Sequence, residues 1–248
     1  MDNPIYLTEY PNMNTDFPFS IKFELVDTVI PHRHDFLELI LVLEGEGVEI
    51  VNGNKHWLTP GSLIFLLPYQ FHEIQITTDR QLILFICNFD LELLLQFDDS
   101  EQGLASIVFE GGEELPPFVQ LNEEQLKQMN AIFNQMMLDY VSSESMRNGY
   151  LKAKLMEALI LFHRYRLKQY RPSSTEAGAQ HRRGDLWKVI RYVHLHYRED
   201  LSLEHLAQTF HYSVSYLSDL FKRRFGQTFV SFLHGLRIRH ACGLLLSS

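Results

Sequence analysis

Short apolar stretches separated by turn residues fill the first ninety positions of the chain. Leu39 to Leu43 is an uninterrupted apolar run, and Val48 to Val51 is a second one that ends at the turn pair Asn52-Gly53. Further short apolar segments continue to Phe89, and Pro60-Gly61 marks another turn. Strands this short and closely spaced leave no room for crossover helices, so the pattern predicts an all-β barrel or sandwich.

The apolar spacing changes to steps of three and four residues after Asn122, which is typical of amphipathic helices. Asn122 is the predicted N-cap of the first helix. The apolar stripe of that helix consists of Leu126, Met129, Phe133, Met136 and Tyr140. A second stripe follows Gly149 and contains Leu151, Leu155, Leu159 and Phe162. Such stripes pack against the barrel or form a dimer interface; the sequence leaves both interpretations open, and the two are compatible.

A polar segment divides these helices from the end of the chain. Residues 171–184 are rich in proline, serine, glycine and charge and contain no apolar residue larger than alanine, which predicts a flexible linker. We therefore expect a β-domain at 1–117, helices that link or dimerise at 118–170, this linker, and an all-helical domain at 185–248.

The C-terminal domain contains two short amphipathic helices joined by a tight turn, between Leu201 and Gly226. Ser202 and Ser213 are the predicted N-caps. The second helix has polar and basic residues on its outer face, namely Ser215, Tyr216, Ser218, Asp219, Lys222 and Arg223. Short polar side chains followed by basic ones suit the major groove of DNA, although an ordinary helical hairpin with a solvated face has the same pattern.

Charge distinguishes the two ends of the chain. The net charge is −9 overall, but residues 1–180 carry 12 Lys and Arg against 26 Asp and Glu, whereas residues 181–248 carry 10 against 5. An acidic body joined to a basic end favours nucleic-acid binding by that end. The sequence has no apolar run of membrane-spanning length and no signal-peptide layout, so we predict a cytoplasmic protein without a membrane partner.

Three histidines and one glutamate form a candidate ligand set. His32 and His34 leave the same face of a strand because they are two residues apart. Glu38 has the same parity, but six extended residues span about 20 Å, so the chain must bend near Asp35 for these side chains to meet. With His72 as a fourth donor, the set suits a divalent transition metal such as zinc, iron, manganese or nickel.

Three interpretations of this set remain open. The four side chains bind a metal ion, contact a small effector directly, or form a polar cluster that is satisfied inside the barrel mouth. A metal with an open position also supports oxygenase or isomerase chemistry, so a metal-dependent barrel enzyme with a helical appendage is the alternative function. The sequence has no nucleophile arrangement, phosphate loop or dinucleotide fingerprint.

Both ends of the chain resemble known families. The spacing His32-x-His34-x3-Glu38-x6-Gly45 resembles the first cupin motif, and Gly61-x6-Pro68-x3-His72 resembles a looser form of the second. The region from Trp187 through Leu246 resembles the DNA-binding region of AraC-type transcriptional regulators. The residues that carry this second resemblance are Leu203, Leu206, Ala207, Ser213, Leu217, Leu220, Phe221, Lys222, Phe225 and Gly226.

The AraC-type resemblance implies a multi-domain regulator that binds double-stranded DNA as a homodimer. A cupin barrel senses a small effector, for which a sugar or related metabolite is a candidate, and helices near the linker dimerise. By position, Ser215, Ser218 and Asp219 face bases, while Lys222 and Arg223 contact phosphate. Asp219 departs from a basic residue that reads guanine, and its carboxylate is suited to accept a hydrogen bond from cytosine.

Two further departures from the family pattern concern the C-terminal region. His211 stands where glycine is common in the turn, which histidine tolerates because it adopts positive φ more readily than most residues. The family has two helix-turn-helix units, and this chain ends at Ser248 in or just after the helix that connects them. We therefore expect weak DNA binding with little specificity from this chain, because fewer contacts are available.

Overall fold

The computed structural model describes residues 5–7, 9–13, 15–77, 80–95, 115–170 and 188–246. They divide into an N-terminal unit, which includes residues 18–93 and 115–170, and a C-terminal unit, which includes residues 188–246. The predicted linker at 171–184 lies outside the described residues, as does the predicted start of the last domain at 185. A search of the described helices finds none whose length and hydropathy would let it cross a bilayer.

Ten strands form two five-stranded sheets in the described part of the N-terminal unit. Their bounds are β1 (Ile5–Leu7), β2 (Phe19–Val26), β3 (Val29–His34), β4 (Leu37–Glu44), β5 (Gly47–Val51), β6 (Asn54–Leu58), β7 (Ser62–Leu66), β8 (His72–Ile76), β9 (Leu82–Phe89) and β10 (Phe118–Gln120). The sheets have the orders β1-β3-β8-β5-β6 and β10-β7-β4-β9-β2. Only β1 and β3 pair in parallel among these strands. The predicted all-β architecture is therefore present.

Alternate residues of the strands fill the space between the two sheets, as the twofold repeat of an extended chain requires. The largest cluster consists of Val26, Ile40, Val42, Val51, Leu58, Ile64, Leu66, Ile74, Leu82, Leu84 and Ile86. Asn52 and Gly53 join β5 to β6 with φ values of 49° and 85°. Positive φ at both positions is what a two-residue hairpin turn demands, so the turn pair acts as predicted.

Strand β10 corrects the predicted domain boundary at residue 117. It pairs antiparallel with β7, with Phe118 opposite Ile64 and Gln120 opposite Ser62. The β-domain therefore includes residues beyond 117. The strand is only three residues long, too short for an alternating pattern to be recognised in the sequence.

Within the described residues of the N-terminal unit, three helices accompany the strands: α1 (Leu91–Leu95), α2 (Glu123–Tyr140) and α3 (Arg147–Gln169). Asn122 caps α2 as predicted, because its Oδ1 accepts a hydrogen bond from the Gln125 backbone amide at 2.9 Å. The Gln125 side chain accepts one in return from the Asn122 amide at 3.0 Å, which completes a capping box.

The middle of the apolar stripe of α2 packs inside the N-terminal unit, as the first of the two interpretations expects. Met129, Phe133 and Met136 are fully buried within a single chain, and the Phe133 ring lies 5.6 Å from that of Phe85 on β9. These three side chains therefore belong to the core of one chain, and the dimer interface stays a prediction. Leu126 and Tyr140, the two ends of the stripe, remain half-buried.

The described C-terminal unit is helical. Its helices are α4 (residues 188–196), α5 (Leu203–Thr209), α6 (Val214–Phe225) and α7 (Phe229–Leu246). The predicted caps are present, since Ser202 Oγ accepts from His205 N and Ser213 Oγ accepts from Tyr216 N, each at 3.1 Å. The unit has its own apolar core, which includes Val189, Val193, Leu206, Leu217, Phe221, Phe225, Phe229, Phe232 and Leu236.

Candidate ligand site and DNA interface

The bend predicted near Asp35 lies between β3 and β4. Strand β3 ends at His34 and β4 begins at Leu37, so the chain passes from one sheet to the other within two residues. After this bend, Glu38 Oε2 lies 3.1 Å from His34 Nε2. The two groups therefore meet although they belong to different sheets.

His72 reaches the same place from β8. It stands directly opposite His32 in the β3–β8 pair, and the two ring centroids are 4.0 Å apart. His72 Nε2 also lies 3.8 Å from Glu38 Oε2. Each of the three histidines offers one ring nitrogen such that all three atoms lie within 4.8 Å of one another. The structure thus brings together His32, His34, His72 and Glu38, which we call the ligand cluster.

Backbone carbonyls fix the orientation of two imidazoles in the ligand cluster. Nδ1 of His32 lies 2.9 Å from the Ile30 carbonyl oxygen, and Nδ1 of His34 lies 2.9 Å from the Phe36 carbonyl oxygen. A carbonyl only accepts, so Nδ1 of each ring carries a hydrogen and Nε2 is the nitrogen left to face the cluster. Metal-binding histidines are commonly held in this way.

Burial and mutual contact determine the charge of the ligand cluster. Burial lowers the pKa of His32 and lowers the pKa of His72 to about 3, which keeps both rings neutral near pH 7. Burial alone raises the pKa of Glu38, but the hydrogen bond with His34 and the neighbouring imidazoles outweigh it and lower that pKa to about 2. His32 and His72 consequently present neutral nitrogens beside the Glu38 carboxylate, which is the form that binds metal ions.

Glu49 on β5 is a member of this site that the sequence interpretation missed. It is fully buried, and neither carboxylate oxygen is hydrogen-bonded to a described residue. Its Oε1 lies 3.7 Å from His72 Nδ1. Burial, followed by the nearby charge of Glu38, raises the pKa of Glu49 to about 8. The available signal was a charged residue inside the apolar run of a predicted strand.

A row of polar side chains extends the site across the second sheet. Ser20, Asn88 and Glu38 are consecutive cross-strand neighbours on β2, β9 and β4. All three are buried, and Asn88 Oδ1 has no partner among the described residues. Buried polar atoms are rarely left unpaired in folded proteins. Together with both nitrogens of His72 and both oxygens of Glu49, this oxygen indicates a site for a bound ligand.

The predicted DNA-contacting residues occupy the start and outer face of α6. Ser213 caps the helix, Ser218 is half-buried, and the others, Ser215, Tyr216, Asp219, Lys222 and Arg223, are exposed. Asp219 Oδ2 lies 2.5 Å from Arg223 Nη2 one helical turn later. The acidic residue predicted to face cytosine therefore pairs with a basic residue of the same helix.

Two family models match the chain in the regions just described. The AraC-like ligand binding domain matches residues 25–159, which is more than half of the chain. This chain belongs to the AraC family. The model for bacterial regulatory helix-turn-helix proteins of the AraC family matches residues 194–234, a range that contains α5 and α6. The AraC-family chain is thus a DNA-binding transcriptional regulator with an N-terminal ligand-binding domain, and the ligand cluster lies inside that domain.

Curated relatives align with most of this chain and with more than three quarters of their own length. The HTH-type transcriptional activator RhaS of Enterobacter sp. (strain 638) is 25% identical over 233 residues, covering 92% of this chain and 78% of the relative. RhaS of Citrobacter koseri is 25% identical over 238 residues, covering 93% and 79%. The crystal structure of the AraC-like transcriptional activator CuxR has a TM-score of 0.51 at 14% identity, covering 90% of this chain and 76% of CuxR, which supports the fold alone.

Proposed function

We propose that this AraC-family regulator responds to a divalent transition metal ion held by His32, His34, His72 and Glu38. The observation that supports this proposal is the convergence of three imidazole nitrogens within 4.8 Å of one another. Two of these rings are oriented by backbone carbonyls so that a lone pair remains on Nε2. A convergent set of neutral nitrogens beside one carboxylate is a donor set for zinc, iron, manganese or nickel.

The alternative of a polar cluster satisfied by its own hydrogen bonds fits the contacts less well. Both nitrogens of His72 are buried without a hydrogen bond to a described residue, and the nearest carboxylate oxygens are 3.7 and 3.8 Å away. Each buried polar atom without a hydrogen bond lowers the stability of the folded state by about 1–3 kcal/mol. A cluster that bound no ligand would therefore destabilise the fold. A bound cation would pair with one nitrogen of each of the three histidines, beside the Glu38 carboxylate.

A small hydroxylated metabolite, such as a sugar, is the second candidate ligand. It is favoured by the oxygens of Glu49 and Asn88, which have no hydrogen-bond partner among the described residues and suit hydroxyl groups, because a hydroxyl both donates and accepts. The two candidates are compatible, since a metabolite can bind beside the ligand cluster.

We further propose that the regulator acts as a cytoplasmic homodimer and that its role is regulation instead of catalysis. Ligand binding would change the affinity for DNA by favouring one arrangement of the DNA-binding units over another, which is a coupling free energy between two sites. The basic C-terminal region, with 10 Lys and Arg against 5 Asp and Glu, supports contact with a polyanion.

The decisive test uses the full purified chain. Native mass spectrometry and elemental analysis are expected to find one transition metal ion per chain, or uptake of one zinc ion after dialysis, and to find none in His34→Ala. His56→Ala is the matched control, because His56 belongs to no ligand set among the described residues. A folded chain that neither retains nor takes up metal would remove the metal proposal.

DNA binding is tested on the same preparation by fluorescence anisotropy with a pool of randomised duplexes. The affinity is expected to fall steeply with added salt, because binding by basic side chains releases counterions from the phosphates. The salt response and the affinity of the metal-loaded and metal-free chains are compared. A flat salt response would contradict DNA binding, and equal affinities would contradict control by metal.

A further inference from the structure

Asp219 is the only acidic residue in the sequence of α6, and it lies on the exposed face that carries Lys222 and Arg223. Its Oδ2 is 2.5 Å from Arg223 Nη2, and the two side chains are 60% and 63% exposed. The carboxylate thus stands on the surface that is predicted to face DNA, where phosphates would repel it.

Folding stability does not account for the pair. Exposed ion pairs between residues one helical turn apart contribute little, because water screens the charges and both side chains must be ordered. Neutralising Arg223 also lowers the positive charge that attracts DNA. A residue that costs affinity on a binding face without stabilising the fold is best explained by specificity.

We propose that Asp219 is a positioning residue that aligns the Arg223 guanidinium for bidentate recognition of guanine. The contact engages Nη2, and the guanidinium has five N–H donors in a fixed fork, so donors remain for the O6 and N7 atoms of a guanine. An arginine already held in one orientation loses less freedom when it binds. The inference rests on DNA binding by α6 and assigns Arg223 to a base instead of a phosphate.

The sequence-based interpretation, in which Asp219 itself accepts a hydrogen bond from cytosine and Arg223 contacts phosphate, makes different predictions. In that case the two residues act independently, and each variant loses a different contact. If Asp219 positions Arg223, removal of either residue has the same effect on base preference, and removal of both adds nothing further.

The experiment selects bound sequences from a randomised 20-base-pair duplex pool with the full chain. The wild type is compared with Asp219→Ala, Arg223→Ala and the double variant. We expect a guanine preference of roughly tenfold or more at one position of the wild-type site, the scale of a good bidentate contact. The preference is expected to be lost to the same extent in all three variants.

Two further measurements distinguish the alignment of Arg223 by Asp219 from an effect of the charge on Arg223 alone. Arg223→Lys keeps the charge but not the fork, so it is expected to lose the guanine preference while keeping the salt slope. Asp219→Ala frees Arg223 to contact phosphate, so its affinity for unselected duplex is expected to rise and its salt slope to steepen by about 0.9.

Glu123→Ala is the matched control, since Glu123 and Lys127 form an exposed pair of the same spacing at 2.6 Å in the N-terminal unit. It is expected to leave base preference unchanged. Independent, additive losses in the two single variants would overturn the inference, as would salt-dependent binding by the wild type with no guanine preference. Absence of all DNA binding would instead overturn the proposed function and the inference with it.

Discussion

His34 Nε2 and Glu38 Oε2 lie 3.1 Å apart, which is within hydrogen-bonding distance. His34 Nδ1 faces the Phe36 carbonyl oxygen at 2.9 Å, so a hydrogen bond to Glu38 requires a second ring hydrogen on Nε2. The contact therefore needs a positive charge between the two atoms. A proton would supply this charge for the one contact, whereas a metal ion would also bind His32 and His72. The bend between β3 and β4 therefore matters for ligand binding, because it places Glu38 beside His34.

Zinc is expected to stabilise the wild-type chain and to lose this effect when His72 is replaced. A ligand at one hundred times its dissociation constant raises the free energy of unfolding by about 2.7 kcal/mol. In His72→Ala the cluster lacks one metal ligand, so zinc is expected to leave the free energy of unfolding unchanged. Denaturant unfolding with zinc and with a chelator measures the difference.

His56→Ala provides the control for that comparison. His56 lies on β6 and packs against Phe118, with ring centroids 4.5 Å apart, but it has no partner in a ligand set of the described residues. Zinc should stabilise this variant as much as the wild type. Equal stabilisation of His72→Ala would show that zinc binds elsewhere.

Glu49→Gln is expected to weaken metal binding without unfolding the barrel. Glu49 approaches His72 on the Nδ1 side, at 3.7 Å, and it does not belong to the ligand cluster itself. Carboxylates behind a metal-binding histidine orient the ring, and their loss commonly reduces metal affinity by about 10- to 100-fold. Competition with a zinc-binding dye measures the affinity.

Glu73→Gln is the control for this substitution. Glu73 follows His72 in β8, so its side chain leaves the opposite face of the strand. Zinc affinity should therefore be unchanged. A wild-type affinity in Glu49→Gln would mean that Glu49 faces an organic ligand or none, instead of supporting His72.

Many elements of the fold can be predicted from local patterns in the sequence. Apolar runs and the turn pair Asn52-Gly53 predicted the strands and their hairpin, and Asn122 predicted the start of α2. Strand pairing is non-local, however. The parallel pair of β1 with β3 and the pair of β10 with β7 join short segments whose own sequences have no alternation to reveal a partner.

The site shows the same division between local and non-local information. Spacing alone predicted the ligand cluster, including the bend that brings Glu38 to His34. Glu49 and Asn88 enter the site only through the register of β5 against β8 and of β9 against β4. Without pairing there was no reason to join residues that far apart in the chain.

Phe133→Ala is expected to destabilise the N-terminal unit by about 3–5 kcal/mol, the usual cost of removing a buried phenyl ring. The periodicity of α2 identified a buried face but not what covers it, and the structure places Phe133 against Phe85. Leu138→Ala, at a residue that is 70% exposed on the same helix, should change stability by less than about 0.5 kcal/mol. Denaturant unfolding monitored by circular dichroism measures both.

Analytical ultracentrifugation of the same two variants tests the assignment of the helix face. If Phe133 packs inside one chain, a folded population of Phe133→Ala should keep the oligomeric state of the wild type. Dissociation of a still-folded Phe133→Ala would return this stripe to the dimer interface and contradict the packing seen here.

Replacing His211 by glycine is expected to stabilise the turn between α5 and α6. His211 has a φ of 58°, and the next backbone amide, that of Tyr212, donates to the Ala207 carbonyl oxygen at 2.9 Å. This bond closes a helix C-terminus whose left-handed position is usually glycine, because other L-residues pay roughly 1–2 kcal/mol there. His211→Val is expected to be worse than the wild type, since branching at Cβ disfavours positive φ further.

Replacing His234 by glycine is expected to lower stability, whereas the same replacement at His211 raises it. His234 is exposed within α7, where glycine lowers stability by about 1 kcal/mol because it gains the most freedom on unfolding. Hydrogen exchange measured by mass spectrometry should therefore show slower exchange across α5 and α6 in His211→Gly and faster exchange across α7 in His234→Gly. Faster exchange of α5 and α6 in His211→Gly would mean that the histidine side chain stabilises the turn by more than its backbone conformation costs.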